Sequence, residues 1–333
     1  MSNGNFDLDD ATLSVDLSEA RQAVKESRFK DALDLLEIIL ESQPDNIDSL
    51  YLAAVCSRYL KEFDNAQQYI EGLLAYAPDM GRAYQELGHL NRDMGNEDKA
   101  TMHYRQAVEL NPALLAPWQI LYQYFKKNNN QPAAEHALRE FNKLNSLPSV
   151  LLYIDQIRHE GRLGIAEKKC RAFLKENPTH TYAMSILAEI ANRLGYFDDA
   201  ETLLEKAVQF KPNDGELRMK YATILRKKQK FAKTIEQANI LCDQYPDNLN
   251  YQAQKASEIM QNGGHEEAIK ILDNILQKNP YNFSTFTSKG HAQKTLGQTN
   301  QAIKSYQSAY QIKADHGEAY FSLSNLKTYS FSS

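Results

Sequence analysis

Apolar and small residues recur along this chain with the spacing of paired amphipathic helices. The pattern is sharpest from Gly81 to Pro112, GRAYQELGHLNRDMGNEDKATMHYRQAVELNP. Tyr84, Leu87, Gly88 and Asn91 follow one another at three, one and three residues, so they share one face of a first helix. Gly95 breaks that helix. Ala100, Tyr104 and Ala107 then share one face of a second, and Pro112 ends the unit. The spacing predicts two helices joined by a tight turn. Small residues sit at their closest crossing, where a larger side chain would overpack.

The unit recurs. Pro44, Pro78 and Pro112 are 34 residues apart, and Pro178, Pro212, Pro246 and Pro280 are again 34 apart. The 66 residues from Pro112 to Pro178 are 34 plus 32, so one middle unit is two residues short. These offsets resemble the tetratricopeptide repeat, which carries an aromatic, Leu-Gly, Ala, aromatic, Ala and Pro in that order. The resemblance covers nearly the whole chain. It implies an all-α fold, a right-handed superhelical α-solenoid of nine repeats and a tenth first helix. Each repeat buries its apolar face only against its neighbours. The expected organisation is a leader over residues 1–12, a solenoid over 13–316 and a truncated tenth repeat over 317–333. Repeat one is degenerate, with Asp16 where an aromatic is usual. Gly95, Gly161, Gly195, Gly263 and Gly297 fall in the turns between paired helices.

Composition narrows the function. A net charge of −5 argues against general nucleic-acid affinity. No apolar run approaches the ~20 residues of a membrane span. The polar, acidic start MSNGNFDLDDATLS lacks a secretory signal, and Ser2 excludes N-myristoylation, so a cytoplasmic protein is expected. Cys56, Cys170 and Cys242 lie several repeats apart and read as buried, unpaired thiols.

Catalytic signatures are missing from the sequence. None of the eight histidines lies in an HExxH or Cys-His zinc spacing, and no G-x-S-x-G, Walker or kinase motif occurs. No metal, cofactor or enzymatic activity is expected of these residues. The acidic pairs Asp198-Asp199 and Glu266-Glu267 open second helices and suit the positive helix terminus. RKKQK at Arg226–Lys230 reads as a solvated helix end.

A binding surface is the remaining candidate. With 4, 7, 8 and 11 buried, positions 2, 5, 6, 9, 12 and 13 of each first helix face the open side. In the resembling family those positions usually hold the ligand. Position 6 is apolar at Leu52, Ile120, Leu152 and Ile186, with Glu86 the exception. Position 12 is basic at Arg58, Arg92, Lys126, Arg158, Arg226 and Lys294, and Lys127, Arg193 and Lys227 add charge at position 13. An apolar floor with a basic stripe suits a protein or peptide partner that is extended and acidic, with spaced apolar side chains. The competing reading is structural: cations favour a helix C-terminus, and the position-6 residues pack on the next first helix. The Lys/Asn/Arg clamp of chaperone-binding relatives and the asparagine ladder of sugar-transferase relatives are both missing.

The last stretch, GEAYFSLSNLKTYSFSS, resembles the junction in bacterial proteins that fuse these repeats to a C-terminal sulfotransferase domain. That resemblance implies a second reading, a recruiting or regulatory arm of a sulfotransferase. Its donor, 3'-phosphoadenylyl sulfate, would bind in a domain outside this sequence. The apolar face Tyr320, Leu323 and Leu326 is expected to have no following element.

Overall fold

A computed structural model of the chain describes residues 17–326, and among these every regular element is an α-helix. The leader, Asp16 and residues 327–333 of the junction phrase lie outside the described residues. The chain divides into two compact units, Met1–Lys169 and Cys170–Ser333.

The first unit opens with α1 (17–25). Then follow α2 (Phe29–Ser42), α3 (Ile47–Tyr59), α4 (Phe63–Tyr76), α5 (Gly81–Asp93), α6 (Glu97–Leu110), α7 (Leu115–Lys127), α8 (Gln131–Asn145) and α9 (Ser149–His159). The division falls within α10 (Leu163–Glu176). The second unit holds α11 (Thr181–Arg193), α12 (Phe197–Phe210), α13 (Gly215–Lys227), α14 (Phe231–Gln244), α15 (Leu249–Gln261), α16 (His265–Lys278), α17 (Phe283–Thr295), α18 (Thr299–Ile312) and α19 (Gly317–Ser324). Within each unit, first helix packs on second, and second on the following first: α5 on α6, α6 on α7, α17 on α18, α18 on α19.

One turn is used nine times. Gly95 has φ +82°, its N–H reaches the Arg92 carbonyl at 3.0 Å, and the Asn96 N–H reaches the Asn91 carbonyl at 2.8 Å. This left-handed stop satisfies carbonyls that the first helix leaves open. Positive φ recurs at residues 27, 61, 95, 129, 161, 195, 229, 263 and 297. Seven of the eight steps between them are therefore 34 residues, and the step from 129 to 161 is the short one. The two missing residues come out of α9, which has 11 residues where α3, α5, α7 and α11 have 13. In the second unit His180, Asp214, Asn248 and Asn282 cap α11, α13, α15 and α17 in the same period.

The small residues act as expected. A Cβ on Gly88 would lie 2.5 Å from the Tyr104 ring, and one on Gly290 would lie 2.5 Å from the Tyr306 ring. Both tyrosines are buried, and each hydroxyl meets a histidine Nδ1 of its own repeat: His89 at 2.8 Å and His291 at 3.0 Å. Cys56 and Cys170 are buried as predicted, but Cys242 is half-buried. At the C-terminal end, Leu323 and Leu326 bury against Ala302 and Tyr306, and Tyr320 stacks on Tyr310 at 4.9 Å. The face expected to lack a following element is thus packed on the preceding helix, α18. Phe321, on the other side of α19, is 68% exposed.

Candidate functional site

Half of the predicted position-12 stripe is neutralised from within. Arg58 is buried; its Nε lies 2.5 Å from Glu86 Oε1 and its Nη1 donates to Asp93 at 2.8 Å. Burial pushes the Glu86 carboxyl above its ordinary range, and the Arg58 guanidinium pulls it part of the way back. Arg158 is equally buried and donates twice to Asp155, at 2.8 and 2.6 Å. In the second unit, Arg226 pairs with the buried Glu258 at 3.0 Å, and burial raises that carboxyl as well. Arg58 and Arg226 therefore tie one helix to another, Arg158 pairs within α9, and none of the three faces a ligand as an open cation. RKKQK is a helix end with Lys227 and Gln229 exposed, and its cations are also paired: Lys228 and Lys230 with Glu201, Lys228 with Asp198, and Lys227 donates to Asn192 at 2.8 Å.

The apolar floor is shared with the core. Leu52 is half-buried against Ala20, Ala53 and Cys56. Ile120 and Leu152 are half-buried against the cluster holding Tyr104, Trp118 and Phe125. Ile186 is fully buried, and Arg193 lies exposed at the end of α11.

One group from the predicted set does converge. Arg92 and Ile120 line a pocket of about 210 Å³ between α5, α6 and α7, with Tyr104, Gln123, Tyr124 and Lys127. Arg92 is 47% exposed, and its nearest carboxylate, Asp93, is 3.7 Å from Nε. The Lys126 amine lies 5.6 Å from the Tyr122 ring centre on the same helix. Lys127 is tied to Glu97 at 2.9 Å, and the Tyr124 hydroxyl to Asp98 at 3.1 Å. The floor is held by the part-buried Tyr104–His89 bond. Burial, with Arg58 and Arg92 nearby, lowers the His89 pKa to about 4, so the imidazole is neutral at pH 7. The arrangement presents surface cations beside an apolar side chain and aromatic walls.

Sequence reasoning missed a clasp elsewhere in this unit. Glu160, after α9, takes Arg82 of α5 in a two-pronged pair, 2.5 Å from Nε and 2.8 Å from Nη2. Arg162 lies 3.4 Å from Asp48 of α3, which Arg21 of α1 also reaches at 2.7 Å. Gln156 of α9 donates to the Ala113 carbonyl at 3.1 Å in the loop before α7, and Asn111 of that loop donates to the Gln156 carbonyl at 3.2 Å. A cleft of about 690 Å³ runs between this turn and the starts of α3 and α5. The clasp pairs lie 78 and 114 residues apart, so no local pattern announces them.

Among the described residues, no group of three or more His, Cys, Asp or Glu side chains is arranged to hold a metal, and no helix is long and apolar enough to cross a membrane. The Tetratricopeptide repeat family matches residues 81–114 and 283–316, and a second family of the same description matches 160–215. The chain is 28% identical over 134 residues to the Tetratricopeptide repeat-containing protein trd-1 of Caenorhabditis elegans. That match covers 40% of this chain and 16% of trd-1, so the chain spans about a sixth of that relative's length. Among solved structures, MamA is similar at 17% identity and TM-score 0.45, covering 50% of this chain and 96% of its own. YrrB, described as a TPR protein with an unusual peptide-binding site, is similar at 14% identity and TM-score 0.43, covering 66% and 96%.

Proposed function

We propose, from the premise that this chain contains tetratricopeptide repeats, that it is a protein-interaction scaffold whose first unit binds an extended acidic segment of a partner protein across α5 and α7. The observation that carries this reading is the convergence of Arg92, Ile120 and Lys127 on one open pocket, with the exposed Lys126 on the same helix as Ile120 and Lys127. A bound segment would set a carboxylate near Arg92 and Lys126 and an apolar side chain on Ile120. Rim charges of this kind steer encounter and select the sign of the partner more than they add affinity. The buried Arg58–Glu86 pair ties α5 to α3 and lends rigidity to that side of the surface.

The test is fluorescence anisotropy of a short labelled peptide in which glutamates alternate with leucines, beside one in which lysines replace the glutamates. The reading predicts saturable binding of the acidic peptide, weakening as salt screens the cations over about 10 Å at 0.1 M. Equal affinity for the two peptides would refute it.

A further inference from the structure

The last two repeats of the second unit contain a polar pocket. It measures about 580 Å³ and lies between α16, α17 and the start of α18. At its base, Gln293 and Ser305 are both buried and share a hydrogen bond of 2.7 Å. In the two repeats before, the position of Gln293 is held by Leu225 and Ile259, both buried in apolar contacts. A polar pair at a core position costs stability unless it is satisfied, so its place at the floor of an open cavity is informative.

The walls carry surplus donors. Lys289 is tied to Asp273 at 2.6 Å. Lys270 and Lys304 also line the pocket, both exposed, and neither side chain makes an ion pair or hydrogen bond among the described residues. Three lysines stand against two carboxylates, Glu266 and Asp273, which leaves a net positive charge. Gln301 adds a neutral amide donor. This is more donor capacity than the two oxygens of a carboxylate would use. A phosphate group, with about two charges and three strong acceptor oxygens, uses it fully.

We infer that this pocket is a binding site for a phosphate group, borne on a phosphomonoester or free. Lys270 and Lys304 supply the charge, Gln301 an amide N–H, and the Gln293–Ser305 pair a polar floor. The site is separate from the surface on α5 and α7, and its success or failure does not depend on that reading.

The experiment is calorimetric titration of the full chain with O-phosphoserine, with inorganic phosphate and with glutamate. The first two should bind saturably and glutamate at least tenfold more weakly. Replacing both exposed lysines, Lys270→Gln and Lys304→Gln, should weaken phosphate binding at least tenfold without changing helicity. Lys278→Gln, a lysine outside the pocket, should leave it unchanged. Phosphoserine tighter than inorganic phosphate would assign the group to a phosphorylated protein, and equal affinity would assign it to free phosphate. No saturable binding of either, or an equal loss in the Lys278→Gln control, would overturn the proposal.

Discussion

Removing Arg58 tests the buried pair most sharply. In Arg58→Met the side-chain volume is roughly kept, and Glu86 stays buried without its cation. A lone buried carboxylate is costlier than a protonated one, so Glu86 takes up a proton on folding. An ordinary carboxyl titrates near 4.5. Holding it neutral at pH 7 costs about 1.4 kcal/mol per pH unit above that value, or about 3 kcal/mol. This agrees with the ~3–5 kcal/mol typical of breaking a buried ion pair. The sign follows from linkage. The variant's folded state binds more protons than its unfolded state between 4.5 and the raised folded pKa, so its deficit grows as pH rises and shrinks as pH falls. At pH 5.5 the deficit should be about 1.5 kcal/mol. Arg58 also holds His89 down, so its loss relieves His89 in acid and acts in the same direction.

The single tryptophan, Trp118, is buried in the first unit and reports that unit's unfolding. With a urea slope of about 2 kcal/mol per molar, the fluorescence midpoint at pH 7 should fall by about 1.5 M, and by about half of that at pH 5.5. Arg58→Met with Glu86→Leu should restore the wild-type midpoint or exceed it, because an apolar pair replaces two desolvated charges. A midpoint unmoved by Arg58→Met, or a deficit equal at both pH values, would refute the reasoning.

Three further outcomes are expected. Gly88→Ala and Gly290→Ala force a Cβ against a buried tyrosine ring and should each cost about 1–3 kcal/mol; Trp118 emission reads the first and far-ultraviolet circular dichroism the second. Gly95→Ala meets no atom within 4 Å and should cost only about 1 kcal/mol through its positive φ, measured by the same urea titration. His89, lowered to about 4 from 6.5, should remove about 2 kcal/mol of stability between pH 7 and pH 5, because the unfolded chain takes up the proton first; His89→Gln should flatten that dependence.

The helix pairs were legible because they rest on local spacing. Proline and glycine marked the unit ends, and the 34-residue period passed directly into the turns. Even so, Ser27, Lys61, Asn129 and Gln229 take the left-handed turn without glycine, so composition at a turn understates how uniform the backbone is. The short step was visible in the prolines, but its cost fell on α9 itself. The stripe was less legible. A basic residue at position 12 looks the same whether it meets solvent, as Arg92 does, or a carboxylate one repeat away, as Arg58 does with Glu86. Asp155, three residues before Arg158, was the one partner that helical spacing could have flagged. The clasp from Glu160 and Arg162 to Arg82 and Asp48 depends on how successive repeats curl within the first unit, which no sequence period encodes.

The most direct measurement is the affinity of the glutamate–leucine peptide for Arg92→Glu/Lys126→Glu against the wild-type chain. Both side chains are at the surface, so the fold should stand, and circular dichroism verifies it. The account predicts a loss of about tenfold or more, about 1.4 kcal/mol, with helicity unchanged. Affinity that survives the double reversal would contradict it, and would leave Arg92 and Lys126 as cations that merely suit the ends of α5 and α7.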